Sequence, residues 1–129
     1  MNADERRLKL DKITEQIIGF AYEVGNVLGC GFLEKVYENA LVYEMRSNGM
    51  RVEQQHAIDV EYKDTLVGEY VADLLVEEKV LVELKAVKAL DDVHAAQCLN
   101  YLKATGLSLC LLINFGNPKV KVKRIVRNF

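Results

Sequence analysis

Two apolar runs, Val71-Ala72-Asp73-Leu74-Leu75-Val76 and Val80-Leu81-Val82-Glu83-Leu84-Lys85-Ala86, each carry an acid in an otherwise strand-like stretch. The polar break between them, Glu77-Glu78-Lys79, has the composition of a tight hairpin loop. Antiparallel pairing about Glu78 sets Asp73 directly opposite Glu83, because their numbers are symmetric about that centre. Cross-strand partners have Cβ atoms ~4.5–5.5 Å apart, and like charges so placed repel. The period of two then sends Lys85 out of the same face as Glu83. Two carboxylates and an ammonium on one face of a mostly buried hairpin are costly unless something compensates them. A divalent cation would do so.

A chain of 129 residues, half of them hydrophobic and 28% charged, fits one globular domain spanning 1–129. The N-terminus, Met1-Asn2-Ala3-Asp4-Glu5-Arg6-Arg7, is charged and does not read as a signal peptide. No apolar run approaches the ~20 residues needed to span a bilayer, so no membrane partner is expected. Cys30, Cys98 and Cys110 are odd in number, widely spaced and without a CxxC pair. Neither a disulfide framework nor a zinc site follows, and reduced thiols in the cytoplasm are expected. The net charge of −2 argues against coating nucleic acid by bulk electrostatics, though not against a basic patch around a cleft.

Leu10, Ile13, Ile17, Phe20, Val24 and Leu28 recur at helical spacing, which predicts one helix over 4–28. Gly29-Cys30-Gly31 stops it. A second helix is expected from Phe32 or Leu33 to Ser47, with Val36, Ala40, Leu41 and Met45 inside and Asn48-Gly49 closing it. The period then changes to strands at 51–62, from the Lys63-Asp64 turn through Val76, and at 80–87. Asp91 is a plausible N-cap for a helix to Thr105, ended by Gly106. Leu107 to Phe115 is nearly continuous in apolar residues, as in a strand buried on both faces. A last strand follows at 119–126. The order α-α-β-β-β-α-β-β predicts an α/β fold, a mixed sheet flanked by helices on both faces.

An acid on one strand, Glu-x-Lys on the next, a preceding helix with Glu and a following one with Gln together resemble the PD-(D/E)xK nuclease superfamily. Within it, Gly31-Phe32-Leu33-Glu34-Lys35-Val36-Tyr37 is similar to the signature of the small GxxExxY proteins. Ala72-Asp73-Leu74-Leu75-Val76, Val82-Glu83-Leu84-Lys85-Ala86, Ala96-Gln97 through Tyr101, and Leu112-Ile113-Asn114-Phe115-Gly116 extend the likeness from about residue 10 to 126. Ala72 stands where the superfamily's name has proline, on the face of the strand away from Asp73.

The resemblance implies a restriction-endonuclease-like fold, a nucleic-acid partner (DNA or RNA) and phosphodiester hydrolysis assisted by Mg²⁺ or Mn²⁺. Asp73 and Glu83 would be metal ligands, hard oxygens suited to such a cation. The Leu84 carbonyl would be a third. Lys85 would hold or activate the attacking water, or neutralise charge on the phosphate. Glu34 would be an added acid, although a carboxylate at a helix start is also favoured by the dipole alone. Gln97 and Tyr101, four apart on one helical face, would complete the polar shell. Tyr37 has two readings, a site hydrogen-bonder or a core tyrosine. His94 and His56 are assigned to no metal.

Lys119, Lys121 and Lys123 alternate along the last strand, where they either contact phosphates or guard a sheet edge. A non-catalytic module binding nucleic acid or protein on the same fold is the alternative function. A homodimer would enlarge the small surface available for duplex, and the first helix has two readings, a dimer interface or a helix packed on the sheet.

Overall fold

The computed structural model describes residues 2–127. Its elements are α1 (Ala3–Leu28), α2 (Glu34–Ser47), β1 (Val52–Tyr62), β2 (Thr65–Val76), β3 (Val80–Lys85), α3 (Asp92–Thr105), β4 (Leu109–Asn114) and β5 (Lys121–Val126). The predicted order holds throughout. The boundaries move by one to two residues where loops tighten: Leu33 is the N-cap of α2, and β3 ends at Lys85 instead of reaching residue 87.

The five strands lie in the order β1-β2-β3-β4-β5, with β3 and β4 parallel and every other pair antiparallel. Only the β3–β4 pair needs a crossover, and α3 supplies it. That helix is bounded as its sequence predicts. The Asp91 carboxylate accepts from the Val93 and His94 N–H groups, and Gly106 closes the helix in the left-handed conformation.

Alternate residues of the central strands fill two cores. On one face Val80, Val82, Leu84, Leu109, Leu111 and Ile113 meet α1 and α2, whose Ile13, Ile17, Ala21, Val24, Leu41 and Met45 are buried. On the other, Leu81, Cys110 and Leu112 meet Cys98, Tyr101 and Leu102 of α3. This explains the unbroken apolar run in β4, all six residues of which are buried. The inner stripe of α1 is thereby occupied within the chain.

Lys63 and Asp64 both have positive φ in a two-residue turn joining Tyr62 to Thr65, the geometry that suits the twist of a hairpin. β5 forms an edge, where Lys121 and Lys123 are exposed and Arg124 pairs with Asp11 of α1 at 3.1 Å. The edge-guarding account of this basic row fits that placement. Among the described residues no helix is long and apolar enough to cross a membrane. Cys30 is exposed, Cys98 and Cys110 are buried, and all three are free thiols.

Candidate functional site

The β2–β3 ladder pairs Val76 with Val80, Leu75 with Leu81 and Leu74 with Val82, and there it stops. One further step of the same register sets Asp73 opposite Glu83, as the symmetry about Glu78 predicts. Side chains take over from the main chain at this point. Glu83 Oε1 accepts from the Asp73 N–H at 2.8 Å, and Asp73 Oδ2 accepts from the Leu84 N–H at 2.8 Å. Each carboxylate is thus pinned by the backbone of the opposite strand. Strict alternation of faces is interrupted here: Ala72 packs in the α3-side core and Leu74 in the α1–α2-side core.

Burial makes the charged forms of these carboxylates unfavourable. Glu83 is 4% exposed, and burial, reinforced by the charge of Asp73, pushes its pKa up to about 8. Burial also raises Asp73, against the Leu84 N–H that lowers it. Glu34, the first residue of α2, is raised by burial and by Asp73 and Glu38, while Lys85 and the Ala86 N–H pull it down. The Lys85 ammonium favours the charged form of Glu34, Asp73 and Glu83 alike. The structure therefore gathers Glu34, Asp73, Glu83 and Lys85 around the end of the hairpin.

Carboxylates whose pKa values are raised by burial and by one another are a donor set whose ionised form a hard divalent cation would favour. Among the described residues, no group of three or more His, Cys, Asp or Glu side chains is placed to hold an ion unaided. Asp73 and Glu83 alone match the demand of Mg²⁺, which takes one or two carboxylates and keeps several waters.

Two participants escaped the sequence reading. Glu38 lies one helical turn after Glu34 and is 4% exposed. Its carboxylate accepts from Lys35 Nζ at 2.7 Å, Gln54 Nε2 at 2.8 Å and Gln55 Nε2 at 3.0 Å. Gln55 has φ 55° and falls between the ladder pairs Gln54–Leu74 and His56–Ala72, opposite Asp73. A left-handed non-glycine residue costs of order 1–3 kcal/mol. Here it turns an amide toward the acids, bonding Glu38 and helping to lower the pKa of Asp73. The i,i+4 spacing of Glu34 and Glu38 was a usable signal for the first, whereas nothing local marks the second.

From the other side, α3 brings Tyr101 to the carboxylates. Burial, then Glu83 and Asp73, push its pKa up to about 12, so it remains a neutral phenol. Gln97 Nε2 donates to the Tyr101 hydroxyl at 2.9 Å, which leaves that hydroxyl its own proton to donate. Gln97 is thus joined to the site through Tyr101.

Asn114, at the end of β4, clamps the segment that follows Lys85. Its Oδ1 accepts from the Val87 and Gly116 N–H groups, and its Nδ2 donates to the Val87 carbonyl at 2.9 Å. A Cβ on Gly116 would stand 2.0 Å from the Val87 oxygen, so only glycine fits that approach. Tyr37 is a core tyrosine: it donates to the Gly29 carbonyl at 2.7 Å, accepts from the Phe32 N–H and stacks on Phe115. Among the histidines, His94 accepts from the Asp91 N–H in the α3 cap, and His56 bonds Glu53.

The family model for the PD-(D/E)XK nuclease superfamily matches residues 11–125. Among solved structures, SSO0001 superposes with a TM-score of 0.57 at 14% identity. The alignment covers 96% of this chain and 62% of that one, so this chain spans under two thirds of its length. An alkaline exonuclease (LHK-Exo) from Laribacter hongkongensis aligns with a TM-score of 0.39 at 14% identity, over 89% of this chain and 82% of that one. At such identity the likeness to SSO0001 is one of fold alone. Among curated proteins none matches the sequence.

Proposed function

The chain belongs to the PD-(D/E)XK nuclease superfamily, and we propose that it is a working nuclease of the GxxExxY type, hydrolysing phosphodiester bonds with Mg²⁺ or Mn²⁺. The observation that carries this reading is the reciprocal pinning of Asp73 and Glu83 by each other's strands. Purely structural acids would be expected at solvent or paired with cations, whereas these are held close, partly buried and raised in pKa. Asp73 and Glu83 hold the cation, with the Leu84 carbonyl as a further ligand. When bound, the cation polarises the phosphate and lowers the pKa of a water.

Lys85 carries a positive charge into a cluster of acids, where it orients the attacking water or neutralises developing charge on the phosphate. Glu34 supplies an acceptor on the α2 side, and Gln55, held by Glu38, helps keep Asp73 ionised. Tyr101, neutral and oriented by Gln97, donates a hydrogen bond toward the reacting group.

The test is cleavage of single-stranded, duplex and branched DNA and RNA by purified protein in Mg²⁺, Mn²⁺ or EDTA. Asp73→Ala and Lys85→Ala, each checked for an intact fold, serve as controls. Metal-dependent cleavage should fall by more than ~10³-fold in Asp73→Ala, several kcal/mol of lost stabilisation. Cleavage unchanged in both variants would refute the assignment. No cleavage of any substrate by the folded parent chain would favour a binding module instead.

A further inference from the structure

β2 pairs with β3 only over Leu74–Val76, while its pairing with β1 continues to Thr65. Beyond β3 the two strands run on as a two-stranded ribbon that touches α3 through Ile58 and Tyr70, and they leave Tyr70 52% and Val71 48% exposed. Between this ribbon and α3 lies a groove of about 940 Å³, lined among others by Tyr70, Tyr101, Gln97, Asn100, Asp59 and Glu61. That volume is at the upper end of the ~300–1,000 Å³ typical of ligand sites. The groove shares Gln97 and Tyr101 with the carboxylate site. The groove therefore adjoins the place where a phosphate bound at Asp73 and Glu83 would lie.

Resting on the nuclease reading above, we propose that this groove selects single-stranded nucleic acid by stacking an unpaired base on Tyr70. Three features of the lining favour bases over backbone. The Tyr70 and Tyr101 rings are 5.9 Å apart and tilted by 51°, so they are not stacked on each other and an exposed face of Tyr70 is left for a base. Gln97 and Asn100 offer amides, which both donate to and accept from base edges. Among the described lining residues Lys103 alone is basic, too few cations to track a run of phosphates. A duplex keeps its bases paired and stacked, and would have to flip one out before it could fill such a groove.

The test reads binding by fluorescence anisotropy in Mg²⁺, with Lys85→Ala as the background so that bound strands stay whole. The probes are a single-stranded oligonucleotide, the same sequence as duplex, and a single strand carrying abasic sites. The single strand should bind at least ~10-fold tighter than the duplex. Adding Tyr70→Ala should weaken it ~5- to 150-fold, the range that loss of one stacked base implies, and Tyr70→Phe should restore most of that. The abasic strand should bind the Tyr70-containing protein about as weakly as the intact strand binds Tyr70→Ala. Equal or tighter duplex binding, no binding of the single strand, or indifference to both Tyr70→Ala and abasic sites would overturn the proposal. Those outcomes leave the nuclease reading untouched, because cleavage by the parent chain is measured separately.

Discussion

The β3–β4 pair and the outer β1–β2 ribbon are built on opposite principles. Every residue of β4 and all of β3 except Lys85 are buried, with helices on both faces. The ribbon leaves Tyr62, Leu66, Val67, Tyr70 and Val71 exposed. Glu83 belongs to the packed half, where the surrounding core bears the cost of a buried acid. Asp73 stands where the ribbon leaves the sheet, in the interrupted stretch of β2 opposite the strained Gln55. The candidate site thus lies at the border between a frame packed on both faces and a ribbon that leaves much of its apolar surface exposed. The frame holds Glu83, and the ribbon supplies the groove wall proposed above to select the substrate.

If this contrast is real, stability should follow it. Leu111→Ala, in the centre of the frame, should destabilise by ~2–5 kcal/mol in urea unfolding, through lost burial and a residual cavity. Asn114→Ala should cost less, ~1–3 kcal/mol, by leaving the Val87 and Gly116 backbone groups without their partner. It should also reduce cleavage, since the clamp holds the chain just after Lys85. Val67→Ala on the ribbon should change stability by no more than ~0.5 kcal/mol, because its side chain is already 58% exposed. A ribbon substitution as damaging as Leu111→Ala would erase the distinction.

What the sequence made legible follows from periodicity and from caps. The symmetry of Asp73 and Glu83 about Glu78 needed only the period of a strand, and the β2–β3 register agrees with it. Asp91 and Gly106 bound α3 by side-chain and left-handed caps that act locally. The turn after β2 was legible as a polar break, though its positive φ at Glu77 and Glu78 falls on residues that rarely adopt it. Glu38 stayed hidden because its i,i+4 relation to Glu34 fits a solvated helix face as well as a buried one. Gln55 stayed hidden because its conformation is imposed by neighbours far along the chain. The ribbon was equally invisible, since a strand's sequence does not say where its second neighbour ends.

Whether Asp73 and Glu83 form the proposed cation site is decided by calorimetric titration with Mn²⁺. In the metal-free protein, burial holds Glu83 at about 8, above its ordinary 4.5. The resulting contribution to stability is complete below the ordinary pKa and is lost as pH rises through about 8. A cation must displace that proton. Its affinity should therefore increase by up to ~10-fold per pH unit from about pH 6 and level off above about 8. Mn²⁺ binding should be saturable at pH 8, weaker at pH 6 and abolished in a folded Glu83→Gln variant. No binding by the parent chain, or equal binding by Glu83→Gln, would contradict it.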